Sequence, residues 1–255
     1  MGNLTIVPTP IGNLGDITLR ALEVLRTSDL ILAEDTRTSS HLLHHYDIRK
    51  PLESHHKFNE FRTSEALVSR IKQEDLHVAL ISDAGTPGIS DPGSMLVREA
   101  IRAQVPVTCL PGPSAMIPAL VVSGLSTERF VFEGFLPVKK GRQTRIALLA
   151  EEPRTVVLYE SPYRVVKTLE EFALAASPDR RCVAVREISK IYEEVCRGTI
   201  AELLDHFRSH PPKGEFVLLF EGIDPKQEKK KKREYASHEE RGRSAGNAPS
   251  NEKII

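Results

Sequence analysis

The segment that most constrains the fold is Ser82–Gly93, twelve residues that contain three glycines, two prolines and two aspartates. The apolar run Val78–Ile81 before it predicts a short buried strand, and Ser94–Ala100 after it predicts a helix. A loop between a strand and a helix is a preferred ligand site in α/β folds, because its glycines let the backbone approach a ligand closely. Its prolines restrict the backbone, so we expect a preformed wall and not a mobile lid. A tight structural turn is the alternative.

Strand and helix patterns alternate along the remaining chain, which predicts the α/β class. The predicted strands are 4–7, 29–33, 78–81 and 107–110 in the first half, then 128–136, 155–159, 182–186, 194–198 and 215–221. The predicted helices are 18–27, 36–45, 64–73, 94–104, 142–151, 165–175 and 200–207, with a further helix that opens at 111–115. Repeated strand–helix–strand units imply a mainly parallel sheet covered on both faces. We expect two α/β domains, residues 1–121 and 122–225, followed by a basic tail, residues 226–255.

Composition excludes several classes of protein. No apolar run approaches the roughly 20 residues of a membrane span, and no secretory signal is visible, so no membrane partner is expected. Cys109, Cys182 and Cys196 are odd in number and widely spaced, which predicts neither a disulfide framework nor a cysteine pair for a metal. These features favour the cytoplasm, and the apolar surroundings of Cys109 predict a core position.

Charge is unevenly distributed along the chain, although it contains 35 basic and 35 acidic residues. Residues 226–255 contain nine Lys and Arg and five Asp and Glu, a net charge of +4, so the rest of the chain carries −4. The run Lys229–Arg233 is typical of a solvated, disordered end. The alternative is a salt-sensitive electrostatic tether to nucleic acid.

Four segments rich in glycine or proline follow predicted strands, at 9–16, 82–93, 111–115 and 159–164. None matches a Walker loop or the Gly-x-Gly-x-x-Gly fingerprint of dinucleotide sites. Loops at the ends of parallel strands tend to lie along one edge of a sheet. Their convergence in a cleft between two domains would form a ligand pocket.

Nine segments carry a resemblance to a known family. They are Val7–Asp16, Ala33–Arg37, Ser82–Gly93, Leu110–Ala115, Phe132–Pro137, Glu152–Thr155, Tyr159–Ser161, Arg186–Lys190 and Lys213–Val217. In these segments, and over about residues 3–223 as a whole, the chain resembles the tetrapyrrole-methylase superfamily. Within it, the chain looks similar to the branch that methylates ribosomal RNA of the small subunit.

The resemblance implies a class III methyltransferase that binds S-adenosylmethionine in a cleft between two α/β domains, as a homodimer. It implies methyl transfer to the 2′-hydroxyl of a cytidine in the decoding centre of 16S ribosomal RNA, within the small ribosomal subunit. Two alternatives stay open. One is a methylase of the same superfamily that acts on a tetrapyrrole or a modified protein side chain, and the other is a noncatalytic nucleotide-binding module for ribosome assembly. Residues 34–37 and 55–60 favour the RNA-directed branch.

By motif, the resemblance places eleven residues at the cofactor. They are Pro10, Asp83, Ala84, Gly85, Thr86, Ile89, Ser114, Ala115, Tyr159, Glu215 and Phe216.

Transfer to a ribose hydroxyl needs a base or an electrostatic helper, because a protonated hydroxyl is a poor nucleophile. Lys190, at the end of the segment Arg186–Lys190, is the preferred base, and Glu160 is a second catalytic candidate. A lysine acts as a base only if burial or nearby cations lower its pKa. The alternative is that Lys190 binds an RNA phosphate. Further candidates for the base are Asp35, His56, Glu60 and Asp83.

Five polar residues are candidates for contact with RNA: Arg37, His56, Asn59, Lys140 and Arg142. Arg37 follows a strand and could hold a phosphate or ribose, or pair instead with Glu34 or Asp35. Lys140 and Arg142 belong to a basic patch that suits a phosphate track or, alternatively, a solvated helix start. The histidines at 41, 44 and 45 have helical spacing but no further specified ligand, so no metal site is expected.

Overall fold

The computed structural model describes residues 1–223, so the predicted tail, residues 226–255, lies outside the described part of the chain. Two five-stranded sheets follow each other along the sequence. The first contains β1 (Asn3–Ile6), β2 (Leu30–Ala33), β3 (Leu52–Ser54), β4 (His77–Ile81) and β5 (Val107–Cys109), in the order β3-β2-β4-β1-β5. All its strand pairs are parallel, as the alternating pattern predicts.

Helices cover both faces of the first sheet, because its central strands are apolar on both faces. They are α1 (Leu19–Thr27), α2 (Thr36–His45), α3 (Glu60–Gln73) and α4 (Ser94–Arg102). Leu4 and Leu80 pack with α3 and α4, whereas Ile31 and Ala79 pack with α1 and α2. The buried strands therefore leave the loops at their carboxyl ends as the free edge of this sheet.

The second sheet is mixed. It contains β6 (Phe130–Phe135), β7 (Thr155–Glu160), β8 (Arg181–Arg186), β9 (Glu194–Thr199) and β10 (Phe216–Phe220), in the order β6-β7-β10-β8-β9. β6 and β7 are parallel, whereas β10 is antiparallel to both of its neighbours and β9 is an antiparallel edge strand. One face packs against α6 (Arg142–Ala150), α7 (Val165–Ala175) and α8 (Ile200–Ser209). Two sheets covered by helices confirm the predicted α/β fold class.

The apolar helix α5 (Met116–Ser123) connects the first sheet to the second and covers the second sheet's other face. Ala119 and Leu120 are buried in one cluster with Val157 and Val217. The predicted domain boundary at residue 121 falls inside this helix. Because α5 packs on the second sheet, it holds the loop that precedes it, residues 111–115, close to that sheet.

Local predictions differ from the structure at three places. β3 has no counterpart among the predicted strands, because Leu52–Ser54 is short and lacks an apolar run. α3 begins at Glu60, four residues before the predicted start at 64. Cys109 is exposed and does not lie in the core as predicted, because β5 is an edge strand. Within residues 1–223, no helix is long and apolar enough to cross a membrane.

Candidate active site

A cavity of about 550 Å³ lies between the loops of the first sheet and the second sheet. From the first half of the chain it is lined by Ile11, Ala84, Gly85, Thr86, Ile89, Ser90, Asp91, Ser114, Ala115 and Met116. From the second half it is lined by Phe135, Tyr159, Glu160, Ser161, Pro162, Val185, Glu187, Ile188, Lys190, Glu215, Phe216 and Val217. Its volume is within the range of small-molecule sites, roughly 300–1,000 Å³.

Hydrogen bonds hold Ser82–Gly93 as a preformed wall of this cavity. Thr9 and Gly85 exchange two backbone hydrogen bonds of 2.9 Å, which attach the loop to the segment after β1. Within the loop, the Gly88 N–H donates to the Pro92 carbonyl at 3.0 Å. Gly85 has a φ of +80°, a left-handed conformation that favours glycine. The loop is therefore braced both internally and by its neighbour.

Glu60, the first residue of α3, fastens the far end of the same loop. It is buried, and its Oε1 accepts hydrogen bonds from the backbone N–H of Gly93 at 2.9 Å and of Met95 at 2.8 Å. Gly93 has no side chain to cap α4, so the Glu60 carboxylate satisfies backbone groups that would otherwise lack a partner. In this arrangement Glu60 positions the loop.

Aromatic side chains of the second sheet form the opposite wall. Tyr159 on β7 makes edge contacts with Phe132 and Phe135 of β6, with ring centroids 4.9 Å and 5.8 Å apart. Burial raises the pKa of the Tyr159 phenol, and hydrogen bonds with the Met116 backbone and the Ser114 side chain partly offset this shift. The phenol therefore stays protonated at neutral pH and joins the second sheet to the start of α5.

Lys190 lines the cavity from the turn that follows β8. Its Nζ donates to Glu187 Oε1 and to Glu215 Oε2, each at 2.9 Å. Burial alone would lower the pKa of Lys190, but the hydrogen bonds to Glu215 and Glu187 outweigh burial and raise it. A raised pKa keeps the ammonium protonated at neutral pH, a state in which it cannot accept a proton. The side chain is instead a persistent cation at the cavity.

The segment after β1 packs on this lysine from the first sheet. A Cβ at Gly12 would lie 2.2 Å from Lys190 Cγ, so the absence of a side chain at Gly12 makes room for the lysine stem. Beside it, the Ser189 hydroxyl donates a hydrogen bond to the Asp16 carboxylate. These contacts hold Lys190 where the two halves of the chain meet.

Carboxylates add negative charge to the same cavity. Burial, with smaller contributions from Glu34 and Asp83, raises the pKa of Asp91 to about 6. Burial and the neighbouring Asp83 also raise the pKa of Glu34. Asp91 lines the cavity, whereas Asp83 is exposed outside the lining and accepts a hydrogen bond from the Asp35 backbone at 3.2 Å. Asp91 is thus a lining carboxylate that binds a proton only slightly below neutral pH.

Glu160 and Arg142 belong to a buried network, and the roles predicted for them remain predictions. The Glu160 side chain is 0% exposed, and its oxygens accept hydrogen bonds from Thr168 at 2.7 Å and contact Arg164 at 2.8 Å. Arg142, whose side chain is 3% exposed, donates to Glu171 and Thr168, both at 2.7 Å. The cause is the packing of α6 against α7, which turns the first residue of α6 inward. The Arg142 guanidinium is therefore enclosed by protein, whereas the Glu160 carboxylate lies at the cavity lining and contacts Thr168 and Arg164.

Two other candidates for RNA contact are exposed cations. The Arg37 side chain is 88% exposed, and its Nη2 pairs with Asp35 Oδ2 at 2.7 Å. The hydrogen bonds from Arg37 lower the pKa of Asp35 to about 2, so this carboxylate is a poor proton acceptor at neutral pH. Lys140 is exposed in the turn before α6. Both cations are accessible to a polyanion.

His56 and Asn59 lie in the loop before α3. The Asn59 side chain accepts a hydrogen bond from the His56 N–H at 2.8 Å and donates one to the Ser54 carbonyl at 3.1 Å. These bonds hold the Asn59 amide against the loop itself, and its contact with RNA remains a prediction. The Nδ1 of His56 accepts a hydrogen bond from the Phe58 N–H at 3.2 Å. The loop therefore fixes the imidazole of His56 through one ring nitrogen.

Nine of the eleven residues predicted at the cofactor line the cavity. They are Ala84, Gly85, Thr86, Ile89, Ser114, Ala115, Tyr159, Glu215 and Phe216. Pro10 is buried and does not line the cavity, because its neighbour Ile11 faces that space, and Asp83 is also outside the lining. Sequence reasoning missed Asp91 and Glu187 as lining residues. Each lies in a segment that the sequence motifs had already marked. The motifs therefore indicated the segment, but not which of its side chains lines the cavity.

The cavity lies between two helix-covered sheets. This fold and a match to a known family define the class of protein as a methyltransferase. The sequence profile of the Tetrapyrrole (Corrin/Porphyrin) Methylases matches residues 3–204. The chain belongs to this family, which confirms the resemblance seen in the sequence.

Individual proteins with similar sequences or folds give a more specific comparison. A protein of Synechocystis sp. named ribosomal RNA small subunit methyltransferase I is 46% identical over 226 residues, which cover 88% of this chain and 81% of the relative. The protein of that name from Haemophilus influenzae is 48% identical over 224 residues, which cover 87% and 79% of the two chains. The solved structure of diphthine synthase has a TM-score of 0.67 at 17% identity and covers 86% of this chain and 89% of its own. That last likeness concerns the fold alone.

Proposed function

We propose that this chain transfers a methyl group from S-adenosylmethionine to the 2′-hydroxyl of a cytidine in the decoding centre of 16S ribosomal RNA. The observation that carries the proposal is the cavity, in which a braced glycine-rich loop faces an aromatic wall. The names of relatives at 46% and 48% identity support ribosomal RNA of the small subunit as the substrate.

The chemistry of the cavity fits S-adenosylmethionine. Val217 and Tyr159 offer apolar and aromatic surface, and the backbone of Ala84–Thr86 offers polar groups on the facing wall. When bound, this molecule supplies an activated methyl group on a positively charged sulfonium. The carboxylate of Asp91 attracts such a positive charge in the same cavity.

Asp91 is the proton acceptor in this proposal. Its pKa of about 6 leaves it ionised at neutral pH and closer to the working pH than an ordinary aspartate, as a general base requires. Glu187 is less suited. Burial alone would raise its pKa, but hydrogen bonds from the Glu215 backbone and Lys190 lower it. Lys190 remains charged and stabilises the negative charge that develops on the ribose oxygen.

The RNA side of the proposal rests on exposed polar groups. Arg37 and Lys140 hold phosphates, and His56 contacts a nucleotide. We assign the reaction to the assembled small subunit in the cytoplasm. We assign a homodimer as the active form, because α5 exposes the apolar side chains of Ile117 and Val121, which suit self-association.

Transfer of radiolabelled methyl groups from S-adenosylmethionine tests this function on small ribosomal subunits that lack the modification. We expect label in 16S RNA, at one nucleotide whose 3′ phosphodiester bond resists alkali because the 2′-oxygen is blocked. Naked 16S RNA in parallel separates the free and assembled substrates. Label on a ribosomal protein or only on an added tetrapyrrole supports a methylase of the same superfamily that acts on a tetrapyrrole or a modified protein side chain. Cofactor binding without transfer to any acceptor refutes the enzyme and leaves a noncatalytic module.

A further inference from the structure

We propose that Glu194, Cys196 and His206 form a binding site for a zinc-class divalent cation, on the face of the second sheet opposite the cavity. Glu194 Oε1, Cys196 Sγ and His206 Nε2 form a nearly equilateral triangle, with separations of 3.6 Å, 3.8 Å and 3.9 Å. The centre of this triangle lies about 2.2 Å from each atom, and bonds from Zn²⁺ to such ligands are roughly 2.0–2.3 Å long. A tetrahedral ion lies out of the plane of the triangle, so the ligand atoms need to approach one another by up to roughly 0.6 Å to hold it.

The corner between β9 and α8 explains why these three side chains meet. Glu194 and Cys196 are two residues apart on β9, so their side chains share one face of the strand. Thr199 ends β9 and caps α8, so the chain turns there without an intervening loop. Cys196 lies three strand residues before this corner, roughly 10 Å, and His206 lies six helical residues after the start of α8, roughly 9 Å. Because these two distances from the corner are similar, the Cys196 thiol lies beside the His206 imidazole.

Arg186 on β8 orients the carboxylate of the cluster. Its Nη1 donates to Glu194 Oε2 at 3.2 Å, and the other oxygen, Oε1, faces the Cys196 thiol. Metal ligands are commonly oriented by outer partners of this kind. The three ligand residues are all partly exposed, so a water molecule can complete a tetrahedral fourth position.

The donor set selects the class of ion. Thiolate and imidazole favour Zn²⁺ and related transition metals, whereas Mg²⁺ and Ca²⁺ prefer oxygen ligands. On binding, the Cys196 thiol releases its proton to solvent, and no oxidation or reduction takes place. Sequence reasoning missed this site because it searched for cysteine pairs and for histidines on one helix. The ligands instead come from a strand and from the helix that follows it.

The location of the cluster separates it from the methyl-transfer cavity. Cys196 packs against the helical layer of α6, α7 and α8, whereas its neighbour Val195 packs with Tyr159 on the α5 side. A bound ion would therefore tie the edge strand β9 to α8. The site has a structural role in this proposal.

Titration with Co²⁺ tests the site in the full chain, with any affinity tag removed and a phosphine in place of thiol reductants. We expect one equivalent of Co²⁺, visible bands of tetrahedral cobalt, a near-ultraviolet charge-transfer band from thiolate to cobalt, and displacement by Zn²⁺. Cys196→Ser should abolish the charge-transfer band. His206→Gln should weaken Co²⁺ affinity by at least about tenfold, because the loss of a ligand exceeds the loss of an outer partner.

Matched controls separate this site from other thiols and histidines. Cys109→Ser removes the exposed thiol on the first sheet and should leave the titration unchanged. If Cys196→Ser does not fold by circular dichroism, Glu194→Gln and His206→Gln carry the same test, because their side chains are 41% and 37% exposed. The absence of a charge-transfer band at saturating Co²⁺ overturns the proposal. So does a band that persists in Cys196→Ser, or binding that His44→Ala removes.

Discussion

Replacement of Arg142 with alanine distinguishes a residue that supports the second sheet from one that contacts RNA. The Arg142 side chain is 3% exposed, and it donates to the Glu171 carboxylate and the Thr168 hydroxyl at 2.7 Å each. It also donates to the Pro137 carbonyl at 3.3 Å. Alanine removes all three contacts and leaves Glu171 without its buried cationic partner. Arg142 therefore has several structural functions that alanine cannot replace.

The magnitude follows from this burial. Removal of one partner from a buried ion pair costs about 3–5 kcal/mol of unfolding free energy. At about 2–4 °C per kcal/mol for a chain of this size, the melting temperature should fall by about 6–20 °C. Thermal unfolding monitored by circular dichroism measures the change, and urea unfolding provides an independent value. Lys140→Ala is the matched control, because Lys140 is an exposed cation two residues away.

The same pair of variants gives opposite results in RNA binding. Lys140→Ala should leave the unfolding free energy within about 0.5 kcal/mol of the parent. It should also reduce the salt dependence of RNA affinity by about one unit of slope, because one phosphate contact is lost. A structural role for Arg142 is refuted if Arg142→Ala melts within about 2 °C of the parent while it loses RNA affinity and salt slope. That result would mean that Arg142 leaves its network and contacts phosphate.

Three further predictions concern the cavity. Lys190→Ala should reduce the rate of single-turnover methyl transfer by about 100-fold, whereas Lys190→Arg, which keeps the cation, should retain most activity. Equal inactivity of both variants would support Lys190 as the base. Glu60→Ala should cost about 2–4 kcal/mol in urea unfolding, because the buried N–H of Gly93 and the partly buried N–H of Met95 lose their acceptor. Glu60→Gln should cost less, and calorimetry should show weaker S-adenosylmethionine binding only for alanine. Because burial raises the pKa of Asp91 to about 6, its ionisation destabilises the fold as pH rises from about 4 to 6. Asp91→Asn should therefore raise the melting temperature at pH 7.5 but not at pH 4. The same variant should lower the transfer rate by at least about 100-fold. A gain in melting temperature at pH 4 alone would contradict the assignment of this pKa.

Much of the fold can be predicted from local sequence patterns, because the spacing of apolar residues indicates which faces of a helix or strand are buried. α2 and α7 have the predicted bounds: Asp35 caps the start of α2, and α7 buries a stripe that contains Val165, Leu169 and Phe172. The order of the second sheet is not readable in this way. β10 is the last strand of residues 1–223 but lies between β7 and β8, and this insertion depends on pairing across thirty or more positions. No periodicity along a single segment contains that information.

The candidate site shows the same division between local and nonlocal information. Loops at strand ends are visible as clusters of glycine and proline, so the cavity's first wall could be predicted. The protonation of Lys190 depends on two carboxylates, Glu187 three residues before it and Glu215 twenty-five residues after it. Glu187 is visible in the sequence, whereas Glu215 reaches Lys190 only because β10 pairs with β8. A basic residue in a predicted cleft therefore cannot be assigned as a base before its carboxylate neighbours are known.

The charge distribution of the cavity connects stability with the proposed reaction. Burial of Asp91 near Glu34 and Asp83 opposes its ionisation, so the folded chain holds a carboxylate that would be more stable as a neutral group. A structure selected for stability alone would replace it with asparagine. A general base requires the opposite, because a carboxylate with a raised pKa accepts a proton more readily at neutral pH. The cost in stability is therefore expected at a residue that works chemically, and the same substitution should increase stability while it removes activity.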